Sequence, residues 1–256
     1  MVANECFLRN YLHRFVDGCR NTLDESYRHV VKYTVAFNED MDKLNTKERL
    51  IFFGTTFFYS RNFEVYTMKN FDIGKIKKIT NQGNLYYDFD EDIDNARNYA
   101  FTNCRKYNSD YQMKGEADRN LILDLLGSYG ENFVFKSGFI CEFGFNFHVE
   151  DNVSIGKGFK LIDCNDVFLG NNVQIGNNVG IFTSKHAENP QYRANHWVKD
   201  LPITIGNNVV IEDDVVIGGG VTIGDNVVIE RNSVIIKDIP SNSRVWGNPL
   251  CIKPLK

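Results

Sequence analysis

A mainly β solenoid, preceded by helical segments, is the fold class this sequence predicts, and three observations predict it. An aliphatic residue recurs every six positions in LGNNVQ and IGNNVG from Leu169, and again in IGNNVV, IEDDVV, IGGGVT, IGDNVV and IERNSV from Ile205. A second small apolar residue stands four places later, as Val173, Val179, Val209, Val215, Val221 and Val227. Gly, Asn and Asp fill the intervals, which suits tight turns because Gly prefers left-handed backbone and Asn and Asp tolerate it. Units this short bury their apolar residues only by stacking on one another, and about three close one coil, giving roughly four to five coils. A helix is a poor alternative, since glycine recurs where helix interiors suffer.

In chain order, residues 1–83 read as a mostly helical extension. Phe7, Leu8, Tyr11, Leu12, Phe15, Val16 and Cys19 recur at helical spacing, with Leu23 to Val35 continuing the pattern. Asn45 with Glu48 marks a capped helix start, and Phe63, Val65 and Thr67 alternate as a short strand would. Lys75 to Lys78 and the NQGN of residues 81–84 read as a polar joint. Residues 84–130 form a helical cap: Ile93, Ala96, Arg97, Ala100, Cys104 and Tyr107 line one side of a helix, and a second helix spans Glu116 to Leu126, closed by Gly127. Residues 131–256 carry the solenoid. Phe143, Val149, Ile155 and Leu161 already keep the spacing of six, after which a shift of two residues resets the phase to Leu169.

A formal net charge of −4 argues against a nucleic-acid partner. Six scattered cysteines, with no CxxC pair, read as free thiols of a reducing compartment. MVANECFLRN lacks the pattern of a signal peptide and IFFGTTFFY is too short to span a bilayer, so a cytoplasmic protein with no membrane partner is expected.

His186 stands out chemically because it follows a repeat strand at the base of the one long interruption, Phe182 to Pro202. A histidine there can act as a general base toward a hydroxyl; position alone fits an ordinary loop histidine too. A zinc site needs three converging histidines, which the spacing of His148, His186 and His196 does not supply, so no metal is expected.

Several motifs occur together. Arg97 follows Asp88 by nine residues, and LLGSYGEN spans residues 125–132. Phe143, Gly144, Asn146 and His148 form a spaced step, and Arg193 follows His186 by seven. PITIGNNV (202–209), GVTIGDNVVI (220–229), KDIP (237–240) and GNP (247–249) complete the set. Together they resemble the maltose, galactoside and nodulation-type O-acetyltransferase branch of the hexapeptide-repeat acyltransferases. The resemblance implies a left-handed parallel β-helix, a homotrimer with active sites between neighbouring coils, and direct acetyl transfer from acetyl-CoA to a hydroxyl of a sugar-like acceptor in a ternary complex. It implies His186 as the base and the backbone N–H of Asp213 as the oxyanion donor. Asp88, Arg97 and Arg193 would serve the acceptor, although a cap-helix ion pair is the plain structural reading of Asp88 and Arg97.

The chain also departs from that pattern. Gly156 stands where the family commonly has an acceptor-contacting Asn, and Glu142 and Cys164 where galactoside members have Ser and Asp, so the acceptor pocket is expected to be rebuilt around these positions. VVIEDD (209–214) replaces VWIGGG, and Glu230 and Arg231 occupy places where small residues admit the pantetheine arm. Cys251 stands in place of a basic residue, leaving Asp213, Arg231, Lys237 and Lys253 as candidate coenzyme contacts. The acidic residues Glu212, Asp213 and Glu230 are expected to weaken donor binding by sterics and repulsion. The alternative function is therefore a non-catalytic or weakly active trimeric scaffold or binding protein.

Overall fold

The computed structural model of this protein describes residues 69–255, which lie in one compact unit, Thr67–Lys256. The helices and strand expected over Phe7 to Thr67 fall outside the described residues.

The KIKK run, expected as a joint, is helical. It lies in α1 (Ile73–Thr80), which starts where the Asp72 carboxylate accepts the Lys75 N–H. Its buried face, Ile76 and Thr80, outweighs the polarity that suggested a linker. Lys75 reaches Asp90 and Asp92 at 3.0 and 2.7 Å, so α1 is tied to the acidic start of the next helix. After the strand β1 (Leu85–Tyr87) comes α2 (Glu91–Lys114), capped by Asp90 and ended by Gly115 at φ 78°. α2 buries Ile93, Ala96, Ala100, Cys104 and Tyr107, the stripe read from the sequence. The second expected helix shrinks to one turn, α3 (Asn120–Leu123). Gly127 does not cap it: its N–H donates to Phe147 O at 3.1 Å, and an added Cβ would lie 2.5 Å from Phe145 O. The solenoid has already captured the backbone there.

The first coil is β2 (Ser128–Tyr129), β3 (Val134–Phe135) and β4 (Ile140–Cys141), and the second is β5 (Phe147–Val149), β6 (Ser154–Ile155) and β7 (Lys160–Ile162). The third is β8 (Val167–Leu169), β9 (Gln174–Ile175) and β10 (Gly180–Phe182). Then follow β11 (Ser184–His186), α4 (Pro190–Ala194) and β12 (Trp197–Asp200), which leave the stack. The fourth coil is β13 (Ile203–Ile205), β14 (Val210–Ile211) and β15 (Val216–Gly218), and the fifth is β16 (Thr222–Ile223), β17 (Val228–Ile229) and β18 (Val234–Ile235). A sixth begins with β19 (Ser243–Trp246), on which β20 (Cys251–Pro254) folds back antiparallel. Five complete coils and part of a sixth thus exceed the four to five expected.

The strands stack in parallel into three sheets, β2-β5-β8-β13-β16, β3-β6-β9-β14-β17-β19 and β4-β7-β10-β15-β18. Their inward residues form columns, such as Cys141, Leu161, Ile181, Ile217 and Ile235, each essentially sealed from water. Burying one such side chain contributes about 1.5–3 kcal/mol, so the column is the main source of stability. Phe143 does not belong to it. The column residue before Val149 is Cys141, eight positions earlier, as Leu161 is eight before Leu169. The third corner of the first two coils carries two extra residues, and Phe143 lies in that extension, stacked on Phe145 at 5.0 Å in a second core with Ile76, Tyr86, Ile93, Ala96, Cys164 and Val198.

At the first corner the turn residue is always asparagine in left-handed backbone: Asn132, Asn152, Asn172, Asn208, Asn226 and Asn242, with φ between 56° and 59°. Each amide donates Nδ2–H to the Oδ1 of the next, at 2.9, 3.2, 3.0, 3.1 and 3.1 Å, forming one continuous ladder. Asn172→Ala removes two rungs and puts a Cβ residue without a compensating bond at φ 59°. It should cost about 2 kcal/mol, against about 1 kcal/mol for Asn172→Gly, which loses the bonds but not the conformation; urea unfolding of both variants measures the difference.

Candidate active site

The chain leaves the stack at the third corner, and the polar chemistry collects there. The extra residues interrupt the regular turn, so side chains replace its hydrogen bonds. The buried Asp163 carboxylate accepts the N–H groups of Glu142, Phe143 and Gly144 at 3.1, 2.9 and 2.7 Å. Burial pushes this carboxyl up to about 7, against the pull of those backbone donors. Asn146 donates to Asp163 O at 2.8 Å, and the buried Asn165 is satisfied within the protein: it donates Nδ2–H to Asp200 O at 3.0 Å, its Oδ1 accepts the Asp166 N–H at 2.7 Å, and its own N–H meets Thr183 Oγ1 at 3.1 Å.

Above this layer the sequence-predicted Asp88, Arg97 and Glu142 come together. Arg97, on the first turns of α2, donates Nη2–H to Asp88 Oδ1 at 2.5 Å and Nε–H to Glu142 Oε1 at 2.5 Å. Asp94 lies 3.5 Å away on the open side. Side-chain exposures of 18% for Arg97 and 13% for Glu142 make this a largely desolvated trio. Burial raises the Glu142 carboxyl above its ordinary range, with Arg97 opposing. Cys164 is buried beside it in the second core, its thiol pushed well up by desolvation. Asp88 and Arg97 are therefore an ion pair, as their plain structural reading has it, and Arg97 ties that pair to Glu142 at the third corner of the first coil.

His186 ends β11, the outer strand of a small antiparallel sheet ordered β1-β12-β11. In register, Tyr86, Val198 and His186 form one row across the three strands, and Asp200 with Ser184 forms the next but one. Because alternate residues share a face, both rows project from the same side. The strand that leads into Asp88 and the strand that ends in His186 are thus joined through β12, and Asp88 N–H donates to His196 O at 3.1 Å. Arg193, expected to serve the acceptor, lies in α4 within the same interruption. Its Nη1 donates to Ala187 O at 3.0 Å and Glu188 O at 2.9 Å, holding the turn that follows His186. Tyr86 and Asp200, whose side chains bond one another beside this sheet, carry no signal in the sequence, since neither stands in a motif.

The remaining candidates lie elsewhere. Gly156 stands at the second corner, where an added Cβ would lie 2.5 Å from Gly176 O, so it serves the packing of one coil on the next and is apart from the trio of its own chain. Asp213 Oδ1 accepts the Asn177 N–H at 2.6 Å, and Asp213 shares this corner with Arg231. Two of the three acidic residues expected to repel a polyphosphate are paired with arginine: Arg231 N–H and Nε–H donate to Glu212 Oε2 at 3.1 and 3.4 Å, and Arg244 Nε–H to Glu230 Oε1 at 2.5 Å. Lys237 is exposed on the third corner of the fifth coil, while Lys253 lies over the Trp246 ring at 5.0 Å. Among the described residues no helix is long and apolar enough to cross a membrane, and no three His, Cys, Asp or Glu side chains gather as a metal site.

Comparison with known proteins gives a consistent picture. Residues 202–237 match the family described as bacterial transferase hexapeptide (six repeats), and residues 81–130 match the maltose acetyltransferase hexapeptide capping motif. The galactoside O-acetyltransferase of Escherichia coli is 34% identical over 167 residues, covering 65% of this chain and 82% of that protein. The solved maltose O-acetyltransferase from Clostridium difficile is similar with a TM-score of 0.62 at 30% identity, over 73% of this chain and 98% of that one. A galactoside acetyltransferase in complex with coenzyme A has the same TM-score of 0.62 and 30% identity, over 73% of this chain and 92% of its own.

Replacing Arg97 with Met leaves the Asp88 and Glu142 carboxylates facing one another without a counter-charge. The variant should lose about 3 kcal/mol, and adding Glu142→Gln should recover a good part of it; denaturant titration of the single and double variants reads the coupling.

Proposed function

From the premise that this chain belongs to the hexapeptide-repeat acetyltransferases, we propose that it moves an acetyl group from acetyl-CoA to a hydroxyl of a sugar-like acceptor, with His186 as general base. The observation that carries this reading is the three-stranded sheet that joins His186 to Asp88, and through Asp88 to Arg97 and Glu142. The trio offers carboxylate acceptors for hydroxyl donors, and His186 stands at the rim of the same sheet. In the reaction, His186 takes the hydroxyl proton as the oxygen attacks the thioester carbonyl, a contribution of about 10²–10⁴ in rate. The backbone N–H of Asp213 is the oxyanion donor in this scheme, reached across the groove between two copies of the chain in a homotrimer. Collapse of the tetrahedral intermediate expels the thiolate, and the imidazolium returns the proton to it.

The donor side has features that fit an extended thiol ester. Gly218, paired with Phe182 where the interruption begins, is not crowded: an added Cβ would make only ordinary contacts, with Ile235 O at 3.6 Å and Ile236 at 3.7 Å. On the coil above stand Ile236, 75% exposed, and Lys237, an apolar surface beside a cation suited to a pantetheine arm and a phosphate. Arg231 and Arg244, paired with Glu212 and Glu230, instead favour the second reading, a weakly active or non-catalytic trimeric scaffold, because their charges are already matched.

Purified protein mixed with acetyl-CoA and a panel of sugars should release thiol, and His186→Ala should lower kcat about 10²- to 10⁴-fold with an unchanged melting temperature, since His186 lies exposed at the end of β11. Thiol release that stays at the level of His186→Ala, with no coenzyme A binding by calorimetry, selects the scaffold reading instead.

A further inference from the structure

Within the same sheet, one buried pair has no role in the chemistry just described. Asp200 is fully buried, and its Oδ2 accepts the hydrogen bond of the hydroxyl of Tyr86, itself a buried residue. The other oxygen, Oδ1, is the one buried side-chain atom among the described residues that has no hydrogen-bond partner. Burial raises this carboxyl above its ordinary range; the Tyr86 and Ser184 hydroxyls nearby act against that. An acid kept in such a place is costly, and an apolar residue would fill the space more stably.

Its connections explain the retention. Asp200 is the register partner of Ser184, two residues before His186 on the same face of β11. Its backbone carbonyl is held by Asn165 of the solenoid corner at 3.0 Å. Its carboxylate is held by Tyr86 of β1, two residues before Asp88. One residue therefore meets the stack, the cap and the strand of the base. A backbone contact alone would fix β12, but the Tyr86 bond fixes the face of the sheet from which His186 projects relative to Asp88.

We propose that Tyr86 and Asp200 are positioning residues, which set the placement of His186 against the acceptor trio of Asp88, Arg97 and Glu142. The inference rests on His186 being the base. Neither side chain touches the reacting atoms: they make the acceptor side and the base one rigid piece, so that a bound hydroxyl meets the imidazole in a productive line. Misplacement by a fraction of an ångström is enough to lose much of the rate while binding persists.

The test is steady-state kinetics of Tyr86→Phe and Asp200→Asn, each with the wild-type sugar acceptor and acetyl-CoA. Both should lower kcat about tenfold to a hundredfold while the acceptor KM and the affinity for coenzyme A by calorimetry stay within about twofold. The double variant should be no worse than the more impaired single one, because the two act as a unit. A Tyr86→Phe enzyme with kcat within twofold of wild type overturns the proposal. So does a parallel decline of kcat, both binding terms and melting temperature, which marks a merely structural pair. If Tyr86→Phe does not fold, Asp200→Asn carries the same comparison. A His186→Ala protein as active as wild type would instead overturn the assignment of the base, a result these variants do not mimic.

Discussion

Everything in this molecule depends on one coil lying in register on the next. The ladder of asparagine amides at the first corner is where that constraint is most visible: six left-handed residues stacked one above another, each amide satisfying its neighbour. A side chain other than Asn gives up either the conformation or the bond. The ladder in turn fixes the phase of the apolar columns, because the residues flanking each turn must face inward at the same height. Coils of 20 residues in the early part, seen in the Asn132–Asn152–Asn172 spacing, and 18 later, between Asn208 and Asn226, share the first two corners and differ at the third. Variation in length is absorbed at that corner, and the buried polar groups Asp163, Asn146, Asn165 and Asp200 collect there for that reason.

The hexads and their turn residues made the solenoid legible, since both period and left-handed turns are local properties of the sequence. Errors arose where a local pattern had two explanations. Phe143 matched the period of six by coincidence, because a two-residue extension sits beside it and an aromatic under the cap is as apolar as a column residue. The lysines of α1 looked like a linker because the acidic partners of Lys75 are 15 and 17 residues away, and that of Lys77 is Asp166, 89 residues away. At the site, Asp88, Arg97 and Glu142 were anticipated through resemblance, and they meet as a trio. Tyr86 and Asp200 were not, because their pairing spans 114 residues and neither stands in a motif. Arg193 also closes the turn after His186 through Ala187 O, a bond that spacing alone does not reveal.

The electrostatics divide the molecule into two surfaces. On the second corner, Glu212 with Arg231 and Glu230 with Arg244 are partly exposed pairs that neutralise one another and contribute little to stability. At the third corner the carboxylates of Asp163, Glu142 and Asp200 are removed from water, and burial raises all three. Backbone N–H groups hold the first, Arg97 the second and Tyr86 the third. The third corner is thus built from acids whose geometry is fixed by these donors, and in the proposed scheme that leaves little reorganisation when a polar ligand arrives.

The reversal of the last strand has a consequence for assembly. A stack of parallel strands ends, in principle, in an open edge at each end, and two such edges could join molecule to molecule without limit. Here α2 and α3 lie under the first coil, with Tyr107, Ile122 and Leu125 buried against it, and β20 turns back on β19 and pairs in the opposite sense. The two ends no longer present matching templates. Among the described residues the sheet that ends in β19 is therefore stopped by its own chain, and that edge cannot pass its parallel pattern to a further copy.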